Sequence, residues 1–116
     1  MSSIDGLTGA HRRDAGTVEL ERELARAQRS GQSLVLAFVD VVGLKARNDA
    51  FGHQAGDRLL RAVVEAMRSN LRSYDLIVRF GGDEFVCGLV DLDLDEAAHR
   101  FSLVSADVVE VESAAI

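Results

Sequence analysis

The chain has 116 residues, of which 47 % are apolar and 28 % charged, a composition typical of a single globular domain. The formal net charge of −6 argues against nonspecific nucleic-acid binding, because a phosphate backbone binds a basic face. There is no apolar run of membrane-helix length and no signal-peptide pattern, so we expect a cytoplasmic protein. The single cysteine, Cys87, excludes an internal disulfide and predicts a small core residue.

The first half of the chain predicts an irregular segment over residues 1–13, then a helix and a buried strand. The helix is expected from about Asp14 to Ser30, because apolar residues recur on one face and Gly31 stands at its end. Ser33 to Asp40 is a near-continuous apolar run that ends in an acid, which is typical of a strand buried on both faces. In α/β proteins, an acid at such a strand end often belongs to a ligand site.

Two helices are predicted next. Val41 to Ala50 predicts a short helix, and Gly52 and Gly56 separate it from a longer one. Apolar residues recur at helical spacing from Leu59 to Leu71, so the longer helix is expected to pack on the sheet. Asp57 is expected at its N-terminus, where a carboxylate caps free backbone N–H groups.

A hairpin is predicted around the glycine pair Gly81 and Gly82, which lies between short β-branched and aromatic runs. The two glycines are expected to supply the positive φ angles of a tight turn. Asp83 and Glu84 follow at the tip, where a hard cation such as magnesium would relieve the repulsion between adjacent carboxylates. The alternative is an ordinary Gly-Gly hairpin with solvated acids.

The C-terminal part predicts a third long helix, capped by Asp95 and running to about Ala106. Residues 107–116 are small and acidic and show no clear strand partner. The order helix, strand, helix, hairpin, helix predicts an antiparallel or mixed sheet with helices on one side. A parallel dinucleotide-binding pattern is excluded, because its glycine fingerprint is absent from the sequence.

The first strand and the hairpin each contribute a candidate metal ligand, Asp40 and Asp83. If the hairpin packs beside the strand, both carboxylates meet at one end of the sheet, as a magnesium site needs. The backbone N–H groups of Gly43 and Leu44 are candidates for binding phosphate oxygens near a helix start, and Lys45 adds a positive charge. The alternative for Asp40 is a strand-end acid that faces solvent.

A family resemblance rests on three stretches, Asp5–Arg13, Asp40–Asp57 and Arg79–Phe85. They read DGLTG with a following RR, DVVGLKARNDAFGHQAGD and RFGGDEF, and they resemble the GGDEF family of bacterial diguanylate cyclases. The resemblance runs from about Asp5 to Leu89. It implies an α+β, palm-like nucleotide-cyclase fold with a central, mostly antiparallel sheet flanked by helices, and one GGDEF domain over residues 1–116.

The resemblance also implies a reaction for bacterial second-messenger signalling. Two GTP molecules would condense to cyclic di-GMP and two pyrophosphates, with Mg²⁺ or Mn²⁺ as the cofactor. Each subunit of a head-to-head homodimer would hold one GTP, and each ribose 3′-hydroxyl would attack the α-phosphate of the partner's GTP.

Residue roles follow from the same resemblance. Asp40, Asp83 and the Val41 carbonyl would hold the metal, and Glu84 would assist at the metal or at the attacking hydroxyl. Asn48 and Asp57 would bind the guanine edge, since a carboxylate accepts from its N–H groups and an amide donates to its carbonyl oxygen.

The pair Arg72 and Asp75 lies where the family has a product-binding inhibitory RxxD motif. By the resemblance, Arg72 would bind a phosphate or guanine of cyclic di-GMP. The alternative is a helix-end arginine paired with a loop acid.

Three features depart from the family. Val42 stands where the family usually has a second acid, and Ala10-His11 replaces the usual leucine and asparagine. Nothing from Asp91 onward resembles the family's C-terminal strand and basic helix, so we expect an open sheet edge. Val42 and the missing basic helix favour an alternative function, a shortened or degenerate module that binds GTP or cyclic di-GMP without turnover. A purely structural or dimerisation domain is a third hypothesis.

Overall fold

The computed structural model describes residues 3–104, 106 and 108–116. Within these residues the elements are β1 (His11–Arg12), α1 (Arg13–Ser30), β2 (Leu34–Val41), α2 (Leu44–Phe51), α3 (His53–Asn70), β3 (Leu76–Arg79), β4 (Glu84–Val90), α4 (Leu94–Ser102) and β5 (Val109–Ala115). Four residues lie outside the described part. They are Met1 and Ser2 of the predicted N-terminal segment, Ser105 of the predicted third long helix and Asp107 of the predicted tail. No helix in the described part is long and apolar enough to cross a membrane.

The strands form one mixed sheet in the order β1-β3-β4-β2-β5. The pairs β3–β4, β4–β2 and β2–β5 are antiparallel, and the short β1 runs parallel to β3. The predicted α+β fold with a mostly antiparallel sheet is confirmed.

Helices cover both faces of the sheet, whereas the order of elements predicted helices on one side. Adjacent strand residues point to opposite faces, and the neighbours Ile77 and Val78 of β3 are both buried, so each face needs a cover. On one face α1 packs so closely that a Cβ on Gly16 would lie 2.3 Å from Val78 Cγ1. On the other face the core cluster contains residues of α3 and α4, such as Met67, together with Cys87 of β4.

The environment of Cys87 confirms the predicted core role of this residue. Its side chain is fully buried in the core, and the Sγ atom lies 3.9 Å from Met67 Sδ. Burial raises the thiol pKa to about 12, so the side chain is neutral at physiological pH.

Strand β2 departs from the prediction of a strand buried on both faces. Val39 and Val41 are buried, but Phe38 is 50 % exposed and Asp40 is exposed. The outward-facing residues of β2 therefore alternate with core residues and leave part of one sheet face open to solvent.

The C-terminal tail contains a strand, so the expectation that it has no strand partner is wrong. Strand β5 pairs antiparallel with β2 from Val41↔Val109 to Val35↔Ala115. Its outer residues Glu110 and Glu112 are exposed, which explains why the apolar pattern was too weak to predict a strand. The strand lies along an edge of β2 that the prediction left unpaired.

Two predicted helix ends are corrected. Asp93, and not Asp95, caps α4, because the Asp93 carboxylate accepts a 2.8 Å hydrogen bond from Glu96 N. Helix α4 ends at Ser102, four residues earlier than expected. Helix α1 ends as predicted at Ser30, and the next residue, Gly31, has a φ of 73°.

Candidate functional site

The tip of the hairpin is a four-residue loop, Phe80 to Asp83, between β3 and β4. The N–H groups of Phe80 and Gly81 both donate to the Glu84 carbonyl, at 2.9 and 3.3 Å. Neither Gly81 nor Gly82 has a positive φ, so the prediction that the pair supplies left-handed turn angles is wrong. A four-residue loop, unlike a two-residue turn, can close without positive φ angles.

The glycine pair has a different physical meaning at each position. A Cβ on Gly81 would lie 2.9 Å from Glu84 Oε1, so the Glu84 carboxylate folds back over the turn. A Cβ on Gly82 would meet nothing within 4 Å. Gly82 therefore leaves the turn open on its outer side.

Strand pairing places the hairpin tip beside the end of β2. Asp40 lies directly across from Glu84 in the β2–β4 register, and Val41 N donates to the Asp83 carbonyl at 2.9 Å. Residues directly opposite in an antiparallel pair present their side chains on the same face. The hairpin therefore lies beside the end of β2, which is the condition on which the predicted metal site depends.

The acids at this end of the sheet have no internal partners. Among the described residues, the carboxylates of Asp40, Asp83 and Glu84 make no hydrogen bond or ion pair, and all three residues are exposed. Like charges held together without a cation destabilise each other. The arrangement is suited to an external positive charge.

The donors available at this point are hard oxygen ligands. Two carboxylates, Asp40 and Asp83, and the nearby Val41 carbonyl match the chemistry that Mg²⁺ prefers, with other coordination positions left for water and phosphate. No group of three or more acidic, histidine or cysteine side chains in the described part is placed to hold a metal ion. Val42 is 43 % exposed and adds no ligand where a second acid would stand.

The start of α2 offers backbone N–H groups beside these acids. Gly43 precedes the helix with a φ of 74°, a left-handed conformation that favours glycine, and no side chain caps the helix start. The first N–H groups of a helix lack intrahelical acceptors and can bind phosphate oxygens. Leu44 begins the helix, and Lys45 is exposed without an ion pair among the described residues.

Asn48 and Gly56 form the contact between α2 and α3. A Cβ on Gly56 would lie 2.0 Å from Asn48 Oδ1, so only glycine leaves room for this amide. The Asn48 Oδ1 atom is buried and accepts no hydrogen bond within the described part of the chain. A buried polar atom without a partner is costly in free energy, because it has lost its hydrogen bonds to water.

Asp57 lies next to this contact but does not cap α3. The helix begins at His53 and is preceded by Gly52, which places Asp57 one turn inside it. The Asp57 carboxylate is half-buried and makes no hydrogen bond or ion pair with another described residue. It is therefore free to accept hydrogen bonds from a ligand bound beside Asn48.

Arg79 is a site residue to which the sequence assigned no role of its own. Its Nη1 donates to Asp5 Oδ1 and Oδ2 at 3.3 and 3.1 Å, and its Nε and Nη2 donate to the carbonyls of Gly81 and Gly82 at 3.3 and 2.9 Å. One guanidinium thus ties the N-terminal loop to the hairpin turn. The signal was present, since the resemblance included both stretches, but the sequence did not show that they touch.

The loop around Asp5 is itself ordered by hydrogen bonds. The Thr8 N–H and hydroxyl donate to Asp5 Oδ2 at 3.0 and 2.7 Å. Burial raises the pKa of Asp5, but the hydrogen bonds from Thr8 and the guanidinium of Arg79 outweigh burial and lower the pKa overall. Asp5 therefore stays ionised under Arg79.

Arg72 and Asp75 bind each other. Asp75 Oδ2 accepts from Arg72 N and Nε at 2.7 and 3.1 Å, and Oδ1 accepts from Nη2 at 2.9 Å. The Asp75 side chain is fully buried, and Arg72 Nη2 also donates to the Val90 carbonyl. The exposed ring of Tyr74 stacks on the Arg72 guanidinium at 4.7 Å. This geometry matches the alternative of an arginine paired with a loop acid.

Comparison with known proteins agrees with these observations. A family model described as "Diguanylate cyclase, GGDEF domain" matches residues 2–113. The diguanylate cyclase DgcP of Pseudomonas aeruginosa is 48 % identical over 82 residues, which cover 71 % of this chain and 12 % of that protein. The cyclic di-GMP phosphodiesterase NbdA of the same organism is 41 % identical over 102 residues, which cover 88 % and 13 %. The chain thus spans about an eighth of these relatives.

Solved structures share the fold. The GGDEF domain of DgcB from Caulobacter crescentus, in complex with c-di-GMP, aligns with a TM-score of 0.87 at 25 % identity and covers 99 % of this chain and 77 % of that one. The diguanylate cyclase SiaD of Pseudomonas aeruginosa, in complex with its activator SiaC, aligns with a TM-score of 0.84 at 36 % identity and covers 98 % and 49 %.

Proposed function

Because the chain belongs to the GGDEF domain family, we propose that it is a diguanylate cyclase domain that condenses two GTP molecules to cyclic di-GMP and two pyrophosphates. One observation carries the proposal. The β2–β4 register and the hydrogen bond from Val41 N to the Asp83 carbonyl hold Asp40 beside the hairpin tip, with the carboxylates of Asp40 and Asp83 unpaired in the described part of the chain.

Asp40, Asp83 and the Val41 carbonyl would hold a divalent metal ion, Mg²⁺ or Mn²⁺. The ion would supply neutralisation of phosphate charge and polarisation of the reacting phosphoryl group. Glu84 is proposed to assist, because its carboxylate lies over the Gly81 turn next to the same point. The N–H groups of Gly43 and Leu44 and the Lys45 ammonium would bind the remaining phosphate oxygens.

Guanine recognition is assigned to Asn48 and Asp57. Guanine offers a ring N–H and an amino group to the two acceptor oxygens of the Asp57 carboxylate, which have no donor in the described structure, and its carbonyl oxygen can accept from the Asn48 amide. Adenine lacks the ring N–H and would leave these acceptors unpaired, which is a strong basis for rejecting it.

The reaction needs two copies of the chain. In a head-to-head homodimer, the 3′-oxygen of each ribose forms a bond to the α-phosphorus of the partner's GTP. The bond between the α-phosphorus and the bridging oxygen breaks, the hydroxyl proton is lost, and pyrophosphate leaves. A single hairpin tip with one nucleotide cannot complete this exchange.

Product binding is proposed at Arg72 and Asp75, with a restriction from the geometry. Asp75 is fully buried and bonded to Arg72, so the accessible part of the site is the Arg72 guanidinium stacked on the exposed Tyr74 ring. Planar guanidinium and aromatic groups stack on nucleobases.

The test is chromatography of the purified chain after incubation with GTP and Mg²⁺. We expect a cyclic di-GMP peak that Asp83→Ala abolishes and that Asp95→Ala, an exposed acid on α4, leaves unchanged. Turnover that survives Asp83→Ala would refute the proposal. Equal loss in both variants would show that general charge, and not the hairpin acid, is responsible.

A second function is a module that binds GTP or cyclic di-GMP without turnover. Val42 favours it, since this residue supplies no second carboxylate beside Asp40. The similarity to a protein named as a phosphodiesterase also favours it, because the matched region there stands in a protein named for another activity. Calorimetric affinity for either nucleotide in a folded chain without turnover would select this function, and no affinity for both would remove it.

A further inference from the structure

The outer side of the hairpin turn borders a cavity of about 410 Å³, which we call the arginine pocket. Its lining includes the turn glycines, Phe80 and three arginines, Arg12, Arg13 and Arg79. Asp5 is the acid that lines it. A pocket with an excess of positive charge on a chain of net charge −6 is an exception that calls for an anionic occupant.

The three arginines differ in how many of their N–H donors are available to a ligand. Arg79 is committed to Asp5 and to the two glycine carbonyls. Arg12 has an ion pair with Asp14 at 3.8 Å, with side chains 42 % and 75 % exposed, and such a pair contributes little. The Arg13 guanidinium stacks on Phe80 at 5.0 Å and makes no hydrogen bond or ion pair within the described part of the chain.

Arg79 also prepares the turn for an anion. By donating to the carbonyls of Gly81 and Gly82, it neutralises the partial negative charge of two oxygens that would otherwise repel one. The donors of Arg12 and Arg13 remain for the occupant. A guanidinium presents its N–H groups as a planar fork, which fits two phosphate oxygens at once.

Gly82 gives an independent indication of a ligand. Its φ is not left-handed, and a Cβ there would meet no atom within 4 Å, so neither conformation nor packing of this chain requires glycine. A glycine at such a position leaves the backbone open to close approach by another molecule. Gly82 lines the arginine pocket, so that approach would come from this side.

We propose that the arginine pocket is a second anion site that binds a di- or triphosphate group through Arg12 and Arg13, with Gly82 allowing contact with the turn backbone. Its lining does not include Asp40 or Asp83, the acids of the proposed metal site, which repel phosphate unless a metal ion is present. The phosphate chemistry has two possible sources, free pyrophosphate and the phosphate chain of a nucleotide. The site does not depend on turnover.

The test is titration calorimetry of the full chain in metal-free buffer, with inorganic pyrophosphate and with GTP as separate probes. The pocket variant is Arg12→Gln with Arg13→Gln. The matched control is Arg22→Gln with Arg29→Gln, which removes the same charge from exposed positions of α1. We expect at least a tenfold loss of affinity in the pocket variant and less than a twofold loss in the control.

The two probes distinguish the sources. Arginine-dependent binding of pyrophosphate identifies the free anion, and arginine-dependent binding of GTP alone identifies a nucleotide-borne phosphate chain. Equal losses in the pocket variant and the control, or no binding of either probe at millimolar concentration, would overturn the proposal. Since calorimetry does not measure turnover, absence of cyclic di-GMP synthesis would leave this result intact.

Gly82→Ala provides a second variant that is expected to fold normally. A methyl group there contacts no protein atom, so the thermal midpoint should remain within about 2 °C of the unchanged chain. We expect the affinity for the active probe to fall at least fivefold. Unchanged affinity in this variant would refute the role assigned to Gly82.

Discussion

Arg79 Nη1 lies 3.1 Å from Asp5 Oδ2, although the two residues are 74 positions apart in the chain. The same guanidinium donates to the carbonyls of Gly81 and Gly82. A single side chain therefore couples the N-terminal loop to the turn that leads into Asp83. A change in the position of that loop would therefore alter the contacts of Arg79 with the turn.

Two substitutions separate the parts of this contact. Asp5→Ala removes the ion pair and leaves the turn bonds, while Arg79→Gln removes both. We expect Asp5→Ala to lower the free energy of unfolding by about 1–3 kcal/mol, because it breaks a hydrogen-bonded charge pair that is largely buried. Arg79→Gln should lower the free energy of unfolding by more than Asp5→Ala does. It should also cause the larger loss of turnover or of nucleotide affinity. Urea unfolding and calorimetry provide the two measurements. Equal functional loss in both variants would show that the turn bonds contribute nothing.

The lowered pKa of Asp5 predicts a dependence of stability on pH. A carboxyl group whose pKa is lower in the folded than in the unfolded state stabilises the fold above its unfolded pKa, here near 3.8, and the contribution is lost as the pH falls through the folded pKa. We expect the stability gap between the unchanged chain and Asp5→Asn to be constant near pH 7 and to shrink below about pH 3.8. Asp95→Asn is the exposed control. A gap that widens on acidification would contradict the sign of the shift.

Much of the site was predictable because its signals are local. A run of apolar residues ending in Asp40, and a glycine pair followed by two acids, each report on a few neighbouring residues. Once both segments are strands, antiparallel pairing brings Asp40 beside Glu84 without further information. The same holds for α1, whose end at Gly31 is determined by its own left-handed φ.

What could not be predicted depends on contacts distant in sequence. Strand β5 has exposed glutamates on one side, and it is a strand because β2 offers unpaired backbone groups, which its own pattern does not reveal. The clasp of Arg79 on Asp5 is non-local in the same way. The prediction of positive φ angles at the glycine pair was wrong for another reason. The length of the loop, and not its composition, decides whether positive φ angles are needed.

Gly56→Ala tests the guanine contact. The added methyl group would lie 2.0 Å from Asn48 Oδ1 and must displace the amide. We expect affinity for GTP and guanosine to fall at least tenfold, while stability changes by no more than about 2 kcal/mol, because the crowding is offset by the better helix propensity of alanine. Calorimetry and urea unfolding measure the two effects.

The control for this prediction is a double variant. If Gly56→Ala acts only through Asn48, adding it to Asn48→Ala should cost no further affinity. An additional loss in the double variant would mean that Gly56 acts on the ligand directly or on Asp57.

Arg72 is the last test, because the structure and the resemblance assign it different duties. Its side chain and N–H hold the fully buried Asp75 carboxylate, and removing one partner of a buried pair leaves an uncompensated charge at a cost of about 3–5 kcal/mol. We expect Arg72→Ala to lower the free energy of unfolding by that amount, and Arg29→Ala, an exposed arginine, to change it by less than about 0.5 kcal/mol.

A loss on that scale would take much of the total stability of a domain of this size, so Arg72→Lys serves as the milder variant for binding. Lysine keeps one charge beside Asp75 but has no planar fork to stack on Tyr74 or to reach the Val90 carbonyl at the same time. If Arg72 also binds cyclic di-GMP, Arg72→Lys should remain folded and lose product affinity at least tenfold by calorimetry, and Tyr74→Leu should lose part of it. If Arg72→Lys is folded and binds the product as tightly as the unchanged chain does, the guanidinium contributes nothing to product recognition. The role of Arg72 would then be to pair with Asp75 and stabilise the fold.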